Sequence, residues 1–495
     1  MKIWSILGLA TMVCLAPSTQ GKDPSLARRA KVLATMVCLA PSTQGAEPAT
    51  ATVQVGFGER DITPTVGAKP VYMAGFGQNR KATKVHDPLM ARAIVFRAGE
   101  RKIALVSIDV VGYFNPNVIE IRKKLPGFTY VLVSSTHNHE GPDTLGLWGP
   151  NPFTNGIDPD YMNMVEERII QAVREAEATV KTTTAKIGTA QAPELLHDGR
   201  EPYIKHDELV ALQFDDPKTG KIIGIVVQWN CHPETLDSKN TEISADFVHY
   251  TVKELQEKYR CPVVYLTGTV GGLMTSLHVE VKDDQGNLLK DGTFEKTEKY
   301  GRLIGQLAEK ALAGAKPVKL TPLEARSTAF LIPMVNPRYH LARQLGVLKR
   351  EAYLWTGDIY KGEPADPKEN KKPMAIRTEV GWLRLGELEV AAIPGEIYPE
   401  LVLDKVQDPP DPGADFPDAP IEPAIYKQMK GPYRMIIGLA NDEIGYIIPK
   451  RQWDEKPPFC YGRKKDQYGE ENSLGPDTAP VLCKAFKELA EKKMK

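Results

Sequence analysis

Tyr130-Val131-Leu132-Val133-Ser134-Ser135-Thr136-His137-Asn138-His139-Glu140-Gly141-Pro142 reads as a β-strand that runs into chemistry. Its first half is an apolar run of the length a buried strand needs, and its second half carries two histidines ahead of a Gly-Pro turn. Side chains two apart on extended backbone point to the same side. The spacing therefore predicts two imidazoles aimed together at a strand end, where they can present a metal or a proton. Two polar loop residues would read the same way, so the weight falls on the rest of the chain.

Working outward, residues 103–111 form a second near-continuous apolar strand of the kind buried on both faces. Residues 222–229, 262–267 and 388–393 read similarly. Apolar residues recur near a 3.6-residue period over 161–180, with Met164, Ile169, Ala172 and Val173 on one side, and residues 247–259 and 300–313 are also helical. Buried strands interleaved with amphipathic helices predict an α/β domain, a mixed β-sheet core layered with helices. Residues 362–367 and 408–413 read as polar surface loops. No linker divides the chain, so residues 53–495 are expected to form one domain.

Composition narrows the class. Lys+Arg and Asp+Glu both total 63, so the chain has no basic field to draw in nucleic acid. Beyond the first fifty residues no run approaches the ~20 apolar residues of a membrane helix, and no apolar stretch marks a membrane-docking segment. The N-terminus has a basic start, a short apolar run and small residues, the pattern of an export signal that sends the chain to the periplasm or the medium. Residues 9–21 recur identically at 33–45, so residues 1–46 are set aside as an export region with an internal duplication, and either Met1 or Met36 can be its start. Cys231, Cys261, Cys460 and Cys483 follow it; they permit three disulfide pairings or four buried thiols, and their spacing excludes a CxxC zinc site.

Four segments carry candidate ligands: His137 and His139; His232 in Trp229-Asn230-Cys231-His232-Pro233; Glu396 in Ile393-Pro394-Gly395-Glu396; and Tyr446, which closes Leu439-Ala440-Asn441-Asp442-Glu443-Ile444-Gly445-Tyr446. Imidazole, carboxylate and phenolate donors suit zinc, with room for water. At this point the chain resembles the neutral/alkaline ceramidase superfamily, in its N-terminal catalytic domain. The resemblance lies in Val55-Gly56-Phe57-Gly58-Glu59-Arg60-Asp61-Ile62-Thr63-Pro64, in Met73-Ala74-Gly75-Phe76-Gly77, in Asp87-Pro88-Leu89-Met90-Ala91-Arg92-Ala93 and in Thr136 to Pro142, which is similar to that family's Thr-His-Thr-His-Ser-Gly-Pro.

The resemblance implies a mixed α/β zinc hydrolase, here without the family's C-terminal β-sandwich domain, acting in lipid and sphingolipid metabolism on the amide of a ceramide-like or other N-acyl substrate. It implies His137, His232, Glu396 and Tyr446 as Zn²⁺ ligands, His139 as proton donor or acceptor beside the metal, Arg200 as a substrate contact and Tyr468 as a second active-site tyrosine. Met274 stands where the family has a serine, Gly272 where it has an aspartate and Glu140 where it has the serine of Ser-Gly-Pro. These departures keep three alternatives open: an esterase or lactonase, a cell-envelope amidase, and an exported binding protein without turnover.

Overall fold

Odd and even residues of the central strands go to different layers. In a computed structural model, which describes residues 53–366 and 372–492, Ala91, Ala93 and Val95 of one strand face helices while Ile94 and Phe96 face a second sheet. The next strands repeat the division, Val106 and Val133 toward the helices, Leu105 and Leu132 toward the sheet. Period-two alternation with both sides apolar is what a sheet covered on both faces requires.

The first sheet contains β1 (Val53–Asp61), β2 (Met90–Ala98), β3 (Arg101–Ile108), β4 (Tyr130–Ser135), β5 (Lys181–Gln191), β6 (Glu208–Asp215), β7 (Ile222–Trp229) and β8 (Val263–Thr267), in the order β8-β7-β6-β5-β1-β2-β3-β4, with Lys316–Pro317 pairing β5. The second contains β9 (Leu323–Met334), β10 (Met374–Leu385), β11 (Leu388–Ala392) and β12 (Tyr433–Ile437) in that order, with Ala352–Leu354 pairing β10. β3–β4, β7–β8 and β11–β12 are parallel and the other long pairs antiparallel, so the core is mixed as expected.

Helices close both outer faces. α1 (Asn115–Lys124) and α2 (Pro159–Ala178) cover one half of the first sheet, α3 (Phe247–Tyr259) and α4 (Phe294–Ala313) the other, and α5 (Thr478–Glu491) packs Leu482 and Phe486 on the second. The layers run helix, sheet, sheet, helix. The repeated glycines of Gly56-Phe57-Gly58 are explained by α2: a Cβ at Gly56 would lie 2.0 Å from the Ala176 carbonyl oxygen, and one at Gly58 2.3 Å from that of Ala172. α4 begins six residues before the expected start at residue 300, because Thr293 caps it by accepting from the Lys296 N–H. All four cysteines among the described residues are buried free thiols. The expected export region, residues 1–46, lies outside the described residues.

Candidate metal centre

The candidate ligands sit at the carboxyl ends of parallel strands from both sheets, and backbone hydrogen bonds stitch those ends together. Ser135 donates its N–H to Leu439 O (3.2 Å), Asn441 to Val133 O (2.7 Å) and Gly438 to Thr267 O (2.9 Å). The chain leaves β4 after Ser135, and His137 adopts a left-handed backbone with φ +67°. The extended segment expected through His139 is therefore broken. A non-glycine residue held there costs on the order of 1–3 kcal/mol, offset by surrounding contacts. Here the His137 N–H donates to Val110 O (3.1 Å) and its Nδ1–H to Val111 O (2.7 Å). The two imidazoles still converge, 5.0 Å between ring centres, but a kink aims them and not the strand pleat.

His232 is held the same way. Its Nδ1–H donates to the Met274 carbonyl at 2.8 Å, and its own N–H donates to the same oxygen at 2.8 Å. A carbonyl only accepts, so both rings carry hydrogen on Nδ1 and present Nε2. Both Nε2 atoms point at one carboxylate oxygen: Glu396 Oε2 lies 3.3 Å from that of His137 and 3.0 Å from that of His232. Burial disfavours charge here, yet Glu396 outweighs it and raises both histidines, while the two rings hold Glu396 far below the usual carboxylate range. Three lone-pair donors converging in a buried site require positive charge between them. Protons on the rings or one cation shared by all three groups supply it, and backbone-fixed Nδ1–H groups are how metal-binding histidines are oriented. The donor set fits a zinc ion.

Glu396–Ile397 and Tyr446–Ile447 form a two-residue parallel ladder in which Glu396 pairs Tyr446. Partners in that register share a face, which puts the phenol beside the carboxylate. Burial, then the Glu396 charge, pushes the Tyr446 hydroxyl well above its ordinary value, so only a cation beside it would favour phenolate. His139 completes a trio: it, His137 and His232 each offer a ring nitrogen, all within 4.8 Å of one another. Burial, then the two neighbouring rings, push His139 well below the usual histidine value and keep it neutral. Its Nδ1 faces Glu234 Oε2 at 3.3 Å, short of hydrogen-bond geometry. Gly75, at φ +98°, allows the backbone against this ring, since a Cβ there would lie 2.3 Å from His139 Cγ, and Phe76 packs edge-on at 5.1 Å. Glu140 is buried and paired to Arg80 at 3.0 Å.

Tyr468, expected in the site, lines it: its ring packs edge-on against Tyr446 at 5.7 Å and its hydroxyl accepts from Asn472 Nδ2 at 2.9 Å. Arg200, expected at the substrate, is not among the residues lining the cavity. It is buried behind the wall, where its guanidinium makes a bidentate pair with Glu470 (2.6 and 2.7 Å) and donates to the carbonyls of Tyr468 (2.9 Å) and Gln452 (2.8 Å). A guanidinium so engaged positions the tyrosine loop. Met274 turns its side chain into the apolar cluster of Trp229 and Phe247. Two acidic residues escaped the sequence reading. Glu234 lies two positions after His232. Glu443, within the quoted segment that ends at Tyr446, lines the cavity with Oε2 unpartnered, and burial, then the Glu396 charge, raises it well above the carboxylate range.

Above these groups lies a cavity of about 210 Å³. Its inner end carries His137, His139, Glu396, Glu443 and Tyr446, and its walls rise through Phe114, Leu145, Leu147, Trp148, Leu348 and Leu474. Arg350 and Asn472 also line it, so a polar floor lies under a mainly apolar wall that polar groups interrupt, an arrangement that suits a ligand with both polar groups and an apolar part.

The fold and this cluster define a class, layered α/β proteins with a buried imidazole–carboxylate centre at joined strand ends. The family model described as neutral/alkaline non-lysosomal ceramidase, N-terminal, matches residues 53–265, so the resemblance read from the motifs is borne out over that stretch. Two solved structures share the fold: a neutral ceramidase from Pseudomonas aeruginosa (TM-score 0.66, 16% identity, 89% of this chain and 74% of that one) and a ceramidase complexed with C2 (TM-score 0.66, 16% identity, 89% and 75%). No curated protein matches the sequence.

Proposed function

We propose that this protein is an exported zinc-dependent hydrolase that cleaves the amide bond of a ceramide-like or other lipid-like N-acyl substrate. One observation carries the reading: the Nε2 atoms of His137 and His232 converge on Glu396 Oε2 beneath an apolar shaft. The ceramidase family match supports the amide and the lipid-like tail.

His137, His232, Glu396 and Tyr446 would hold the ion. When bound, zinc supplies Lewis acidity, polarising an acyl carbonyl and making a water more acidic. His139, neutral and beside the cluster, takes a proton from the attacking water and returns it to the leaving amine. With Nδ1–H turned to Glu234, its Nε2 is the base, and the carboxylate stabilises the imidazolium that forms. The Tyr468 hydroxyl, in the wall, donates to the oxygen that gains charge. Arg200 acts through Tyr468 by holding its loop. The apolar shaft receives the acyl chain and excludes water.

A second reading, ester or lactone hydrolysis at the same centre, is favoured by Met274, whose burial leaves no serine side chain at that position. Zinc analysis of the purified protein, paired with fluorogenic ceramide, N-acyl and ester substrates, tests both. About one zinc per chain, as a single site requires, with amide turnover supports the proposal. Zinc with ester turnover alone selects the second reading, and zinc without turnover selects a binding protein. A chain that takes up no zinc overturns all three.

A further inference from the structure

We infer that Glu443 holds a positively charged amino group in the cavity, so that the substrate is an N-acyl compound whose amine half carries an ammonium; the inference names a substrate class for the hydrolase proposed above and rests on that reading. Glu443 is buried on the segment that runs from β12 to Tyr446, and it shares the inner end of the cavity with Glu396. The two acids differ in what answers them. Glu396 Oε2 meets the Nε2 atoms of His137 and His232, whereas Glu443 Oε2 is buried with no partner.

The carboxyl is held in place. Its Oε1 accepts from the Gly445 N–H (2.7 Å), and the Glu443 N–H donates to Asp442 Oδ1 (2.9 Å). Gly112 makes room for the side chain, since a Cβ there would lie 2.9 Å from both Glu443 Cβ and Cγ. One oxygen is thus spent on the backbone and the other is left over. Buried polar groups are ordinarily paired, and one left unpaired at the inner end of a cavity marks where a ligand completes the set.

The surrounding charges select the ligand. Arg350, the one lysine or arginine lining the cavity among the described residues, makes a bidentate pair with Asp442 and gives its remaining bonds to the carbonyls of Glu443 (3.3 Å) and Arg377 (3.0 Å). Arg80 and Arg200, behind the wall, are answered by Glu140 and Glu470. No side-chain cation is left over to receive an anionic ligand, and none answers Glu443. Burial keeps an unmatched carboxyl neutral, and a cation beside it supplies the counter-charge that its ionised form needs. A hydroxyl would give the hydrogen bond and no counter-charge. The apolar wall takes the acyl chain, which places the ammonium on the amine half.

The test uses N-hexanoyl amides of ethylenediamine, ethanolamine and propylamine, which match in size and end in an ammonium, a hydroxyl and a methyl group. Their kcat/KM values are measured on the full zinc-loaded chain and on Glu443→Gln, with calorimetric binding of hexylammonium and zinc content on the same samples. The wild type should favour the ammonium amide by about 10–100-fold over the other two, the worth of one charge-assisted hydrogen bond. Glu443→Gln should keep zinc, lose that preference and weaken hexylammonium binding by a similar factor. Turnover without an ammonium preference in the wild type, or a preference that survives in Glu443→Gln, overturns the inference and leaves the hydrolase. Loss of zinc in Glu443→Gln also overturns it and assigns Glu443 to the metal. Hexylammonium binding that depends on Glu443, with no amide turned over, would sink the proposed activity and leave the ammonium subsite standing. Neither turnover nor hexylammonium binding would remove both.

Discussion

At its inner end the cavity is walled by side chains on strand ends, and at its outer end by loops and one short helix. His137, His232 and Glu396 follow β4, β7 and β11, and backbone carbonyls fix both rings. The outer wall draws on residues 143–156, 335–350 and 468–474, held by side-chain bonds such as Arg200 to the Tyr468 carbonyl and Asn155 to the Val347 carbonyl. A strand end is fixed by its neighbours over the whole ladder, so it can hold donors to a fraction of an ångström. A loop wall tolerates change and can be shaped to a substrate. Under the proposed function the metal and the proton transfer belong to the floor, and the wall contributes the Tyr468 hydroxyl and the shape that meets the substrate.

The comparison breaks first if the floor is not a metal site. Replacing Glu396 or His232 with Ala should abolish stoichiometric zinc and lower kcat/KM by about 10³-fold or more, the size of several kcal/mol of lost Lewis acidity. Full zinc in either purified variant would refute the ligand assignment. His139→Ala sharpens it: zinc is retained and kcat falls about 10²–10⁴-fold, the span of a proton-transfer residue. Loss of zinc there would make all three histidines ligands. Arg200→Ala leaves the buried Glu470 unpaired and should cost about 3–5 kcal/mol of stability in urea unfolding. The double change Arg200→Met/Glu470→Leu should recover much of that stability, and the recovered enzyme should show a lowered kcat more than a raised KM, because the loop that carries the Tyr468 hydroxyl to the developing charge is disturbed. Glu234→Gln should keep zinc and reduce kcat about 10–100-fold, as outer partners of a site do, with Glu234→Asp restoring part of it. The smallest expected effect is that of reductant. Four buried free thiols predict a melting temperature that dithiothreitol leaves unchanged, and a fall on reduction would reveal a disulfide.

By itself the sequence determined the mixed α/β class and several of its strands and helices, while the packing of one sheet on the other appeared only in the structure. Apolar runs marked the strands at 103–111, 130–135, 222–229, 262–267 and 388–393, and helical periodicity marked 161–180 and 247–259, because burial on a pleat or a helix face imposes a period of two or 3.6. His137, His139, His232, Glu396 and Tyr446 were legible as candidates because they close strand-like runs or lie in short motifs, and the family resemblance, not their local geometry, implied their roles. What only the tertiary structure decided lies in contacts between distant segments. The kink at His137, the carbonyls of Val111 and Met274 that set both tautomers, and the approach of Glu234 to His139 all join residues no local pattern relates. The same holds for Arg200, which the family resemblance implied as a substrate contact. Its carboxylate partner lies 270 residues away, and that ion pair exists only once the chain has folded.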